Sequence, residues 1–307
     1  MKAKLFFLYL PGKRAPCSRH RTANLAVRRK TGIHYGSSEI IITFILIVMA
    51  LLVVLPLVIP LLFAFKTQLE FAYHPWALPQ TLRWNNFVEA WKAIRIDKGL
   101  LNTLIVCLGA ILCTIPASVS AGYVFARYRS QATEILFYAV LVGYFVPVQM
   151  ILVPLYRMEV SLKINDTLYG LFMPIAACSI PFWTLIYRSF FRNIPREMAE
   201  SASIDGAGHW RTFFSIMLPL ARPATTLAVI QVFMGAWNDY LLSLILLSDQ
   251  NKFTMQLRIA SFLNSYGTDR MPRYAAAVII SAIPTLILYL IGHRWIIRGM
   301  LSGAIKE

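Results

Sequence analysis

The sequence predicts an all-α membrane protein with six transmembrane helices. Of its 307 residues, 58% are apolar and 14% are charged, whereas soluble domains average about 45–50% apolar and about 25% charged residues. Six runs with at most one charge approach or exceed the roughly 20 residues that a helix needs to cross about 30 Å of hydrocarbon. These runs are Ile40–Phe65, Gly99–Ala126, Ile135–Tyr156, Thr167–Tyr187, Ala224–Ser248 and Ala275–Gly292.

Several of these runs contain prolines. In a helix bundle, neighbouring helices and water can satisfy the carbonyl groups that a proline leaves free. We therefore expect kinks rather than breaks at Pro56, Pro60, Pro147, Pro154, Pro174, Pro181 and Pro284.

The distribution of basic residues predicts the orientation. Six spans put both termini on one side, and 19 of the 30 Lys and Arg residues fall on that side. Basic residues concentrate in cytoplasmic loops, so both termini are predicted to be cytoplasmic. Nine of the 19 lie in residues 1–39, which read as a basic cytoplasmic tail ahead of a six-span domain at 40–307. This bias of basic residues toward one side of the membrane also explains the net charge of +16, so no nucleic-acid-binding role is needed to account for it.

Chemical motifs are missing from the sequence. It contains no GxxxxGK[ST] phosphate loop, HExxH or GxSxG, and its four cysteines lack metal-binding spacing. We expect no catalytic residue, no metal and no cofactor bound by this chain. The longest predicted outer loop, 66–98, is long enough to hold a short helix and to touch an extracytoplasmic partner.

The predicted cytoplasmic loop 188–223 contains a stretch with helical spacing of small residues. Pro195 suits a first helical turn, and Asn193 is a plausible cap. One face then carries only small residues, namely Ala199, Ala202, Ser203 and Gly206. Such a face allows close approach of another surface, and the nearby carboxylates of Glu197 and Glu200 can pair with arginines on it.

Gly206 is predicted to end this short helix. A second segment, His209–Leu218, then runs to Pro219 with apolar residues suited to the membrane interface or to the underside of the bundle. The two pieces would form a stiff connection to the fifth span. The alternative is an ordinary amphipathic loop helix that packs under the bundle.

The same residues resemble the inner-membrane permease subunits of binding-protein-dependent ABC importers. That family carries Glu-Ala-Ala, three residues, Gly, nine residues and Ile-x-Leu-Pro. This chain has Glu200-Ser201-Ala202, then Gly206, then Ile216-Met217-Leu218-Pro219 at the same spacing, with Ser201 as the one departure. Within the family, residues 194–208, 236–249 and 298–307 are similar to the maltose-type carbohydrate-uptake class, and the chain to the smaller permease of the pair.

The resemblance implies a type I ABC importer permease fold with a cytoplasmic coupling helix, in a bacterial inner membrane. It implies alternating-access transport of a sugar, oligosaccharide or polyol, and three kinds of partner. These are a homologous second permease, two nucleotide-binding subunits that hold ATP and Mg, and an extracytoplasmic solute-binding protein. It assigns ATPase coupling to Glu197, Glu200, Ser201, Ala202, Asp205 and Gly206, and the following elbow to Ile216, Leu218 and Pro219.

Polar and aromatic residues in the spans are candidates for the translocation lining: Gln149, Trp183, Gln231, Asn238 and Asp239. Aromatic residues near span ends also form interfacial belts, and for Asp239 we favour a hydrogen bond in helix packing. An ion-coupled secondary transporter is the alternative function. Such carriers commonly place ionisable groups near mid-membrane, whereas five of the six predicted spans have no charge. A membrane enzyme or scaffold would need a catalytic set or soluble modules.

Overall fold

A computed structural model describes residues 37–128, 130–195 and 197–304, with side chains except at 37–40, 199, 203 and 294–304. The basic tail lies outside the described residues up to position 36, as do the last three residues of the closing segment 298–307. The chain divides into two compact units, Met1–Leu51 and Leu52–Glu307. The first contains, of the described residues, only the beginning of the first helix, and all packing discussed below belongs to the second.

The described ranges are helical and contain no strand. Their α-helices are α1 (Ser37–Ala64), α2 (Gln68–Tyr73), α3 (Asn85–Ile94), α4 (Ile96–Arg127), α5 (Gln131–Val142), α6 (Val148–Leu162), α7 (Leu168–Arg192), α8 (Glu197–Ile204), α9 (His209–Thr212), α10 (Leu218–Leu220), α11 (Arg222–Trp237), α12 (Leu241–Leu246), α13 (Met255–Tyr266) and α14 (Met271–Ala304). The predicted outer loop holds α2 and α3, so the expectation of a short helix there is confirmed.

The helices fit the predicted spans in number. In the described residues, four continuous segments are long and apolar enough to cross a membrane: Ile41–Ala64, Ile96–Arg127, Leu168–Arg192 and Met255–His293. Two bent pairs raise the number to six if each pair is one span. Gln131–Phe145 meets Val148–Leu162 at 99°, and His209–Leu220 meets Arg222–Trp237 at 71°.

Breaks in the third and fifth predicted runs correct the sequence prediction. Pro147 lies in the break before α6, so it interrupts the third run instead of kinking it. The fifth run is not one helix either, because α11 ends at Trp237 and α12 begins at Leu241. The Asp239 carboxylate accepts hydrogen bonds from the amides of Leu242 (3.4 Å) and Ser243 (2.9 Å). These bonds satisfy the free amides of a new helix start.

The core is built on α4, α7 and α11. Helices α4 and α7 approach so closely that a Cβ at Gly122 would lie 2.5 Å from the Cβ of Tyr187. Only glycine permits that approach. Tyr187 is fully buried and donates a hydrogen bond from its hydroxyl to Thr225 of α11 at 3.2 Å. The three helices therefore hold one another in register.

A second apolar cluster adjoins this core, and Leu100 packs against both. It joins the end of α1 and α3 to α13 and α14 through Ala64, Ala90, Met255 and Ala276, all buried. An ion pair between Glu89 and Arg273 at 2.5 Å links α3 to α14 beside it. This cluster supports the segments that the sequence places on the outer side.

Candidate functional site

The short helix α8 ends at a glycine, as predicted. Gly206 has a φ of +77°, and the amide of Ala207 donates to the carbonyl of Ala202 at 2.9 Å. This is the six-to-one hydrogen bond of a Schellman motif, which requires a left-handed residue after the helix. The described helix runs from Glu197 to Ile204, and Pro195, predicted to lie in its first turn, is outside it.

Most of the residues predicted to couple to an ATPase are exposed. Exposed are Glu197, Glu200, Ser201, Asp205 and Gly206. Ala202 differs, since only 5% of it is exposed. Its methyl group therefore faces this chain, and Ala202 seats α8 rather than offering a contact. The side chains of Ala199 and Ser203, the other members of the small-residue face, lie outside the described ones.

The elbow, defined here as His209–Leu220, is helical with a π-helical turn at Phe213–Met217, and it meets α11 at 71°. The amide of Leu218 donates to the carbonyl of Phe213, five residues back. Pro219 explains this turn, because it has no amide hydrogen and its ring excludes the carbonyl of residue 215 from the usual position. The Ile-x-Leu-Pro part of the motif thus sets the shape of the elbow.

Buried aromatic contacts attach the elbow to the core. Phe213 and Met217 are 7% and 4% exposed. The ring of Phe213 lies 5.0 Å from that of Tyr123 on α4, which in turn contacts Phe191 on α7 at 5.6 Å. The motif residues Ile216, Leu218 and Pro219 are half-buried. Movement of the elbow must therefore displace α4 and α7 side chains.

The opposite side of the elbow is exposed and apolar. Trp210 is 77% exposed and stacks on Phe214, with ring centroids 6.0 Å apart. Ile204, at the end of α8, is 86% exposed. The sequence placed these aromatic residues at the membrane interface or under the bundle, and the structure leaves them uncovered by the described part of this chain.

A groove of about 290 Å³ lies between α7, α11 and the turn after α5. It brings together two predicted lining residues, Trp183 and Gln231. Trp183 is largely buried, whereas Gln231 is exposed. The groove is completed by Tyr144, Cys178, Ser179, Phe182, Val232 and Gly235. Tyr144 and Phe182 stack with centroids 5.4 Å apart, so the groove has an aromatic wall.

The remaining predicted lining residues do not reach this groove. Gln149 is exposed on the first turn of α6. Asn238 donates to the carbonyl of Met234 at 2.9 Å, and Asp239 caps α12. Among the described residues the Asp239 carboxylate bonds only to Leu242 and Ser243, so it forms a local cap instead of the hydrogen bond between packed helices favoured above. Sequence reasoning missed Tyr144, Ser179 and Phe182, and only the adjacency of Phe182 to Trp183 could have signalled one of them.

At the end that the sequence predicts to be the outer one, Asp166 ties the α6–α7 turn to the segment after α12. Its carboxylate accepts from the amides of Ser248 (2.9 Å) and Asp249 (3.0 Å) and pairs with Lys252 at 3.0 Å. Its own amide donates to the carbonyl of Leu246 at 3.0 Å. We call Asp166, Ser248, Asp249 and Lys252 the outer latch.

The latch holds Asp166 ionised. Partial burial works to raise the pKa of this carboxyl, but the amides of Asp249 and Ser248 and the Lys252 ammonium outweigh burial and hold its pKa below the ordinary value. No group of His, Cys, Asp and Glu suited to holding a metal occurs in the residues that the structure describes.

Comparisons with known proteins match this architecture. The diacetylchitobiose uptake system permease protein NgcG of Streptomyces coelicolor is 32% identical over 264 residues, covering 85% of this chain and 87% of its own length. The melibiose/raffinose/stachyose import permease protein MelC of Bacillus subtilis is 31% identical over 268 residues, covering 87% of this chain and 96% of its own.

The fold also matches a solved structure, that of a bacterial ABC transporter involved in the import of the acidic polysaccharide alginate. The TM-score is 0.73 at 18% identity, over 85% of this chain and 98% of that one. Residues 114–302 match the model of one protein family. This chain belongs to that family, the binding-protein-dependent transport system inner membrane components.

Proposed function

We propose that this chain is a permease subunit of an ATP-driven importer that carries a sugar, oligosaccharide or polyol by alternating access. Its relatives NgcG and MelC bear the names of diacetylchitobiose and melibiose, raffinose and stachyose uptake. Family membership argues against the ion-coupled carrier, since the family is defined by dependence on a binding protein. A homologous second permease completes the translocation pathway.

The observation that carries this proposal is a continuous connection from an exposed helix to a groove. Helix α8 leads through the elbow into α11, and α11 carries Gln231 in the groove wall. A force on α8 would therefore reach the groove through the backbone into α11 and through the Phe213–Tyr123 and Tyr123–Phe191 contacts to α7. That is the mechanical link that alternating access requires.

The groove suits a carbohydrate. Sugars present apolar C–H faces and many hydroxyl groups, and binding sites combine apolar or aromatic walls with a few placed polar groups. Here Tyr144, Phe182 and Trp183 supply aromatic surface, and Gln231 and Ser179 supply amide and hydroxyl groups. The proposal assigns the sugar to this wall together with residues of the partner permease.

The proposed orientation places α8 in the cytoplasm with both chain termini. There α8 docks on one of two nucleotide-binding subunits, which bind ATP and Mg and perform hydrolysis. Glu197 and Glu200 are free in the described residues to pair with arginines of that subunit, and Ser201 contacts it. Residues 1–39 were predicted to be a tail, but α1 already begins at Ser37, so the six-span domain begins there. A solute-binding protein docks on the bacterial membrane's outer side.

Reconstitution tests the proposal. The full set of subunits, with this chain, is placed in proteoliposomes with radiolabelled oligosaccharide and the solute-binding protein outside. Uptake should require ATP inside and the binding protein outside. Uptake by this chain alone, driven by a proton or sodium gradient and indifferent to ATP, would refute the proposal and support the carrier.

A further inference from the structure

A second cleft, of about 190 Å³, opens between the end of α3 and α13. Its polar lining consists of Arg95, Arg258, Gln250, Ser261, Ser265 and Tyr266. It shares no lining residue with the groove. Both of its walls come from segments that the proposed function places outside the membrane, so the cleft faces the extracytoplasmic side.

Arg258 is a buried cation in this cleft, with 7% of its surface exposed. Its Nη2 donates to the carbonyl of Gln250 at 2.6 Å and its Nε to that of Phe253 at 3.1 Å. Its stem packs on Gly99 of α4, where an added Cβ would lie 2.8 Å from the arginine Cδ. The guanidinium is therefore fixed in place.

No counterion accompanies this cation among the described residues. The ion pairs of the described residues, with nitrogen–oxygen distances up to 4.0 Å, use other basic side chains: Arg188, Arg192, Lys252 and Arg273. The like charge of Arg95 acts on Arg258, while the carboxylates of Asp97 and Asp249 act on it from beyond ion-pair distance. Arg95 reaches only the Asn251 amide oxygen, at 3.5 Å. A buried charge without a paired ion is unfavourable, so an anion brought from outside would be stabilised here.

The chemistry of the cleft selects a carboxylate. A guanidinium offers planar, forked donors that match a carboxylate. Nη1 of Arg258 and the Ser261 hydroxyl have no hydrogen-bond partner in the part of the chain that the structure describes. The cleft is small and separate from the groove, which favours a single side chain over a sugar chain in transit.

We propose that this cleft receives an aspartate or glutamate side chain of the solute-binding protein when that protein docks. This proposal rests on the proposed function, which supplies the docking partner. The docked carboxylate pairs with Arg95 and Arg258 and accepts from Ser261. Its arrival neutralises the repulsion between the two arginines, so docking stabilises the contact between α3 and α13.

The test measures the Kd of the cognate solute-binding protein for the assembled importer in lipid nanodiscs. Arg95→Gln should raise the Kd about tenfold, as expected for loss of one partner of a desolvated charge pair. Lys92→Gln is the matched control, since it removes one positive charge three residues away without touching the cleft. It should change the Kd less than about twofold, as is typical of a peripheral charge.

A second variant, Ser261→Asp, keeps both arginines and supplies a carboxylate inside the cleft. It should raise the thermal unfolding temperature and weaken docking about as much as Arg95→Gln does. Wild-type docking by both variants, with ATP-dependent uptake intact, overturns the inference and leaves the proposed function standing. Thermal unfolding of the importer is also measured with added glucuronate. Unchanged docking, together with a rise in unfolding temperature on adding glucuronate that Arg95→Gln abolishes, would overturn the inference and assign the cleft to a sugar acid. A wild-type importer that never binds the solute-binding protein overturns both proposals.

Discussion

The elbow and the outer latch both connect helices, but they are built in opposite ways. In the elbow region, α8 exposes two glutamates, and Ile204, Trp210 and Phe214 stay uncovered. In the outer latch, the carboxylate of Asp166 accepts hydrogen bonds from two amides and forms an ion pair with Lys252, all in a segment more than 80 residues later in the chain. The elbow region therefore leaves its polar and apolar side chains available to a partner, whereas the polar groups of the outer latch bond to one another.

This difference fits a subunit that is moved from one end. A turn that receives a force must be stiff inside and accessible outside, and the Schellman end of α8 with the buried Phe213 and Met217 provides the stiffness. The outer latch joins the α6–α7 turn to the segment after α12, so those two segments move together. The groove lies on α7, which carries Trp183 and follows the turn with Asp166, and on α11, which carries Gln231 and follows the elbow.

The largest expected effect comes from breaking the end of α8. Gly206→Val places a β-branched residue at a φ of +77°, which costs on the order of 1–3 kcal/mol locally. We expect ATP-dependent uptake to fall below about a tenth of wild type, because the helix loses its direction into the elbow. Uptake is measured in proteoliposomes, and immunoblotting of membranes measures insertion, which should not change.

Gly208→Val is the matched control for that change. An added Cβ meets nothing within 4 Å at either glycine, but Gly208 has a φ of −67° that any residue adopts. Its uptake should stay near wild type. Equal loss of uptake in both variants would show that side-chain bulk, not the left-handed backbone, explains the defect.

Reversing a charge on the exposed face of α8 should have the next largest effect. Glu200→Lys replaces an exposed carboxylate with a cation that repels the arginines proposed on the ATPase. We expect a loss of about tenfold in uptake and in co-purification of the ATPase. Asp269→Lys, also exposed but in a segment that the proposed orientation places outside, serves as control. If Asp269→Lys releases the ATPase and Glu200→Lys does not, the proposed orientation is inverted.

A smaller effect is expected in the groove. Gln231→Leu keeps the size of an exposed side chain and removes its amide. We expect the KM for oligosaccharide uptake to rise several-fold while ATPase co-purification is unchanged, because one hydrogen bond is worth about 0.5–1.5 kcal/mol. Thr226→Val, on the same helix but outside this groove, should leave the KM unaltered.

The smallest effect tests the latch through pH. The pKa of Asp166 is lower in the folded chain than in the unfolded one, so its stabilisation is complete above the unfolded pKa of about 3.9 and is lost as pH falls through the folded value. Asp166→Asn should cost on the order of 1 kcal/mol at pH 7. Measured by thermal unfolding, the difference in stability between wild type and Asp166→Asn should narrow toward pH 3. Asp269→Asn should show no gap at either pH, and a gap for Asp166→Asn that widens in acid would contradict the assignment.

Much of the fold follows from the sequence because its signals are local. Apolar length located the first, second, fourth and sixth spans, and Gly206 marked the end of α8 since only glycine readily adopts that backbone. The role of Asp239 was harder to predict. An aspartate within an apolar run can either bond to a packed neighbouring helix or cap the start of a new helix, and hydropathy does not distinguish these two roles. The same holds for the bend at Pro147.

The candidate site was predictable only in part. The spacing from Glu200 to Pro219 identified the exposed helix and the elbow. The lining of the groove depends on which faces of α7 and α11 meet. Residue type alone therefore could not tell that Trp183 and Gln231 line it and that Gln149 does not. Ala202 was expected to contact a partner and is instead buried, since a small residue fits either side of a close contact equally well.

Crosslinking measures most directly whether α8 is the docking surface. A single cysteine is placed at exposed Ser201 of α8 or, as control, at exposed Ser265 of α13, in a chain whose native cysteines are replaced. The assembled importer is treated with a short bifunctional crosslinker. The proposed function predicts a covalent adduct between the ATPase and the Ser201→Cys chain, and none with Ser265→Cys. An ATPase adduct at Ser265→Cys with none at Ser201→Cys would contradict it.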